Sequence, residues 1–133
     1  RGGDADDAVV RQARDLLPQV ERLVVLVKDG DAKPILRHPV LDGWPVLPTL
    51  DILHQQEFRS GLPAGLPDDA RVANKTGEIS TVAHDTGLVY LPDRRPYAVA
   101  ILTEWSADRT SGRRDTLASI SRVIYEHLMD ESR

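Results

Sequence analysis

The sequence predicts an α/β (α+β) domain: a five-stranded, mainly antiparallel sheet flanked by N- and C-terminal helices on one face. Three observations lead to it. Both ends of the 133-residue chain carry an apolar stripe at helical spacing, and the segments between them are short β-branched and apolar runs bounded by turn signals. The chain has the usual size of one domain, so residues 1–133 are expected to fold as a single unit, with 1–5 frayed.

The elements follow in order. Asp4, Asp6 and Asp7 precede a helical stripe of Val9, Ala13, Leu16 and Leu17, and can accept hydrogen bonds from free amides in its first turn; Pro18 ends it. Leu23 to Val27 is a continuous apolar run, short enough for a buried strand. "KDGDAK" turns the chain at Gly30, and "KPILRH" returns it as a second strand with Pro34 near its start. "PVLDGWPVLPTL" reads as a loop in which Trp44 plugs a gap. "TLDILHQQEFR" is a short helix with Leu50, Leu53 and Phe58 facing inward. Three strands come next, "ARVANKTG", "TVAHDTGLVYL" and "YAVAILTEW", the last two joined through "PDRRP". A long amphipathic helix from Arg113 to Met129, with Leu117, Ile120, Ile124 and Leu128 as its stripe, closes the order. Both terminal helices are needed on one sheet face, so the other face has only the short middle helix and Trp44 for cover.

Composition removes several classes of chemistry. Net charge is −4, which argues against nucleic acid as a partner. No apolar run reaches the ~18–20 residues of a membrane helix. Cysteine is absent, so thiolate catalysis, disulfides and Cys-based metal sites are excluded. His38, His54, His84 and His127 lack the spacing that puts two imidazoles on one helix face, and neither a metal nor a cofactor is expected. Asp29 and Asp31 around Gly30 are explained by turn chemistry. His84 and Asp85, adjacent in a strand, point to opposite faces and form no dyad. Arg94, Arg95, Arg113 and Arg114 read as solvated charges. The chain begins at Arg1 without a methionine or a signal-peptide pattern; removal of an upstream piece is the expectation.

Lys75-Thr76-Gly77 carries information only with its neighbours. "LPAGLP", "VANKTGEI" and "HDTGLVYLPDRRPYAVAILTEW" together resemble, element by element, the C-terminal part of class A serine β-lactamases and related penicillin-recognising hydrolases. The resemblance covers about residues 50 to 130. It implies that Lys75 and Thr76 bind a substrate carboxylate, so that a β-lactam-like anionic small molecule is the ligand class. It further implies that Gly77 lets the ligand lie close to the strand backbone, and that the Glu78 backbone N–H is half of an oxyanion hole. Such a donor contributes about 10²–10³ in rate. Family members often have a small residue where Glu78 stands. The family is mostly exported, to the periplasm or beyond the cell.

The same resemblance makes the absences informative. The family's nucleophile lies in S-x-x-K, and no serine in this chain is followed three places later by lysine. No "SDN" occurs, and no loop carries a recognisable acid for the deacylating water. The order helix, strand, strand at the amino end implies the α/β layer of the β-lactamase fold without its all-helical region. No catalytic residue is therefore assigned. The leading expectation is a non-catalytic pseudoenzyme acting as a binding or dimerisation module, with a homodimer or a second protein on the open sheet face. The alternatives are part of an active serine hydrolase whose helical region is missing from this chain, and a roadblock-type docking scaffold.

Overall fold

The computed structural model describes residues 11–12, 20–29 and 46–131. Strand β1 spans Arg22–Lys28, β2 Arg71–Ile79, β3 Val82–Tyr90 and β4 Tyr97–Glu104. Helix α1 spans Val46–His54 and α2 Arg113–Glu131, with a 3-10 turn at Leu62–Gly65. The described strands form one antiparallel sheet in the order β1-β4-β3-β2. Of the expected helix at 6–17 only Arg11 and Gln12 are described, both helical and exposed; the second strand at 33–38, Gly30 and Trp44 lie outside the described residues.

The strand period of two divides the sheet into faces. Leu23 and Val25 of β1, Tyr97, Val99, Ile101 and Thr103 of β4, and Ala83, Asp85 and Val89 of β3 are buried on one side. Register places Leu23 opposite Thr103 and Val25 opposite Ile101, so these side chains share a face. Helix α2 covers that face with Leu117, Ile120, Val123, Ile124 and Leu128. The stripe expected from spacing is the stripe that is buried, and each fully buried aliphatic side chain contributes about 1.5–3 kcal/mol.

The 3-10 turn locks onto α2 at close range. A Cβ on Gly65 would stand 2.1 Å from the Ala118 carbonyl oxygen, so only glycine allows this approach. Ser121 donates its hydroxyl to the Leu62 carbonyl at 2.8 Å, closing the contact.

Helix α1 starts and ends earlier than the 49–59 expected from periodicity. Pro48 lies in its first turn, where a missing N–H costs no hydrogen bond. After His54 the chain leaves the helix: the Gln56 carboxamide accepts from the Phe58 N–H and donates to the Asn74 carbonyl of β2. Phe58 is consequently 55% exposed rather than inward. α1 lies against the outer side of β2, where Ala73 is fully buried and the His54 ring meets Tyr90 at 5.3 Å. At the far end of that outer face, Val24 and Leu26 of β1 remain exposed.

Two arginines read as solvated are structural. Arg113 is buried, donates to the carbonyls of Arg109, Ile79 and Ser80, and lies over the Trp105 ring at 5.9 Å. Its five fixed N–H donors suit a site crowded with carbonyls from the β2–β3 turn and the segment before α2. Arg94 pairs with Asp29 and lies over Tyr97 at 5.8 Å.

Candidate functional site

β2 ends the sheet, so one of its backbone edges has no strand partner among the described residues. Alternation determines which groups face that edge. The Lys75 carbonyl is turned toward β3, where the Thr86 hydroxyl lies at 3.5 Å. The Asn74 and Thr76 carbonyls are turned the other way, accepting from Gln56 and from the Lys75 ammonium, the latter at 2.6 Å. By the same alternation the backbone N–H of Glu78 faces the open edge.

A groove of about 440 Å³ runs along this edge, lined by Phe58, Gly61, Lys75, Thr76, Glu78 and Arg114 among others. Lys75 to Glu78 thus share one concavity. Lys75 is exposed, and among the described residues no carboxylate lies within ion-pair distance of its ammonium. Gly77 is a different kind of glycine from Gly65: a Cβ added to it would meet nothing within 4 Å. Its φ is not positive either, so neither packing nor backbone conformation requires glycine there.

The floor of the groove is polar and rigid. Asp85 is fully buried and accepts from the Leu62 N–H at 2.9 Å and from the Asn74 carboxamide at 3.0 and 3.3 Å. A Cβ on Gly61 would come within 2.7 Å of the Asp85 carboxylate, so Gly61 is needed for the approach. Burial pushes the Asp85 carboxyl above its ordinary value, against the lowering effects of the Asn74 amide, the Leu62 and Thr86 N–H groups and the Lys75 charge. Asp85 therefore ties β2, β3 and the 3-10 turn together, opposite Thr76 in the register and on the same face of the sheet. His84 faces the opposite way, accepting at Nδ1 from the Thr103 N–H at 3.1 Å, so the two neighbours form no dyad.

At the other end of the groove Glu78 pairs with Arg114 at 3.4 Å, and the Arg114 guanidinium lies 5.5 Å from the centre of the Phe58 ring. Sequence reasoning missed Arg114, Phe58 and the Asn74–Asp85 pair. A signal for Arg114 was present: a cation in a helix's first turn opposes the dipole and calls for an explanation. No group of three His, Cys, Asp or Glu side chains among the described residues could hold a metal ion.

This arrangement, a strand with an outward amide row beside an ammonium that has no carboxylate partner among the described residues, over a packed polar floor, is suited to gripping a small anion. Comparison with known proteins identifies the family. The model of the β-lactamase enzyme family matches residues 48–128. The chain belongs to that family. Among solved structures, PBP-A is 29% identical with a TM-score of 0.57, covering 62% of this chain and 31% of its own. A variant of the last common ancestor of Gram-negative bacteria β-lactamase class A is 27% identical with a TM-score of 0.57, covering 62% of this chain and 32% of its own. The β-lactamase from Streptomyces albus G is 26% identical with a TM-score of 0.53, covering 58% and 30% respectively. No curated protein matches. The chain spans about a third of the length of the solved structures it resembles.

Proposed function

We propose that β2 is the carboxylate-gripping wall of a penicillin-recognising site, and that these 133 residues bind such a ligand without acyl transfer of their own. The observation that carries the reading is the Lys75 ammonium, which donates to the Thr76 carbonyl and has no carboxylate partner among the described residues, on an open strand edge whose outward N–H groups include that of Glu78. Lys75 and the Thr76 hydroxyl would hold the ligand carboxylate. Gly77 would let the ligand lie flat along the strand, and the Glu78 N–H would meet the developing oxyanion in a complete site. A mutant of PBP-A forms an acyl-enzyme complex with penicillin G, which supports the ligand class. Without a serine in S-x-x-K, no group in this chain is assigned as nucleophile.

Titration with benzylpenicillin tests this. Saturable binding that Lys75→Ala weakens about tenfold or more is expected, from the loss of a charge-assisted contact. A covalent penicilloyl adduct on a hydroxyl of this chain, detected by intact mass, would overturn the non-catalytic part.

A second reading treats the chain as part of an active serine hydrolase. It is supported by the chain's covering only about a third of its structural neighbours. The nucleophile would then come from residues outside these 133, and chromogenic cephalosporin turnover by the isolated chain is expected to be nil under either reading. Exposed Val24 and Leu26 also support a partner, or a second copy, on the outer sheet face. Native mass spectrometry showing monomer alone at micromolar concentration would remove that role.

A further inference from the structure

We infer that Glu78 sets the charge preference of the groove: it holds Arg114 in an intramolecular ion pair, so that a carboxylate ligand with a cationic or neutral remainder is taken in preference to a dianion. This rests on β2 being the carboxylate-gripping wall.

The two neighbouring arginines at the start of α2 are held very differently. Arg113 is buried and bonded to backbone carbonyls. Arg114 is half exposed, and its partners are the Glu78 carboxylate and the Phe58 ring. Its place in the first helical turn is electrostatically unfavourable, because the free amides there already present positive potential. Arg113 nevertheless fixes it there, since the bonds to Ile79 and Ser80 clamp the helix start against the end of β2. A conflict of this sort, offset only by an exposed ion pair and a ring contact that both border the groove, is expected where a site needs the charge.

Glu78 is the counterpart. It stands where a small side chain would leave Arg114 free, and the pair is solvent-exposed on both sides. Such pairs are weak and readily opened. From Lys75 to Glu78 the strand advances about 10 Å, at roughly 3.3 Å per residue. A ligand whose carboxylate sits at Lys75 and Thr76 therefore extends its other end to the Glu78–Arg114 pair. A second anion arriving there must displace Glu78 from Arg114 and then remain beside it. A cation meets Glu78 directly, and a neutral group leaves the pair closed.

Three penicillins that differ in side-chain charge make the test: benzylpenicillin with a neutral side chain, ampicillin with an added ammonium, and carbenicillin with a second carboxylate. Affinities measured by calorimetry on the wild-type chain are expected to fall in the order ampicillin, benzylpenicillin, carbenicillin. Glu78→Gln, which keeps the backbone N–H, is expected to strengthen carbenicillin binding about two- to fivefold, the range of an exposed pair, and to weaken or leave unchanged that of ampicillin. Combining it with Arg114→Ala is expected to abolish the carbenicillin gain. Lys75-dependent binding of all three with a carbenicillin-to-benzylpenicillin affinity ratio that Glu78→Gln leaves unchanged would overturn this inference alone. Failure of every protein to bind any of the three would overturn it together with the reading of β2.

Discussion

The two halves of β2 are built on opposite terms. From Val72 to Asn74 the strand is buried on both sides, by the core on one and by α1 on the other. From Lys75 onward it is open, bordering the groove. The glycines of the paired strands repeat the contrast. Gly87, opposite Asn74, has the Ala73 carbonyl oxygen 2.5 Å from where a Cβ would sit, whereas Gly77 has nothing within 4 Å. In the first half, residue identity is dictated by packing. In the second it is not, so the residues there are free to answer to a ligand.

The largest test of this contrast is Gly87→Ala. The new methyl would press on backbone as well as on the Asn74 side chain at 2.9 Å, and neither yields easily. A loss of about 3 kcal/mol is expected, at the upper end of overpacking costs, measured by denaturant unfolding.

Asp85→Ala comes next. It leaves the Leu62 N–H and the Asn74 carboxamide buried without their acceptor, with a loss of about 1–3 kcal/mol. An unchanged midpoint would mean that the floor of the groove does not hold the two halves in register.

The pH dependence follows from the same carboxyl. Because burial raises its pKa, the folded state holds that proton more tightly than the unfolded chain. Asp85 therefore makes stability fall as pH rises from the ordinary carboxylate range through the raised value, with no further change above it. Asp85→Asn is expected to remove this part of the slope. A slope identical to wild type in urea midpoints taken across acid pH would contradict the assignment.

The smallest stability effects belong to the open half. Lys75→Ala and Gly77→Ala are each expected to shift stability by no more than about 0.5 kcal/mol. Both should weaken benzylpenicillin binding, the first by removing the cation and the second by lifting the ligand off the strand. Equal losses of stability at Gly77 and Gly87 would erase the distinction between the halves.

Much of this architecture was legible beforehand, and the exceptions share a cause. The α2 stripe of Leu117, Ile120, Ile124 and Leu128 is a local pattern, and it is buried as the spacing requires. The strands around Lys-Thr-Gly, and the opposite facing of His84 and Asp85, follow from a period of two. Phe58 was misplaced because Gln56 ends helix α1 by reaching a carbonyl 18 residues away. Arg113 was misread because its acceptors, at Ile79 and Ser80, lie more than thirty residues upstream. Asp85 gave no local hint of its role, since its partners come from β2 and from the 3-10 turn.

By itself the sequence determined the family, the helix and strand periods and the Lys75–Glu78 segment, because each is written in neighbouring residues. Only the tertiary structure decided that β2 ends the sheet among the described residues with its Thr76 and Glu78 amides facing outward, that Asn74 of β2 is hydrogen-bonded to the buried Asp85 of β3, and that Arg114 meets Glu78 at the groove. Those outcomes depend on strand order and on approaches between distant segments, which are set by how the whole chain packs rather than by any stretch of it.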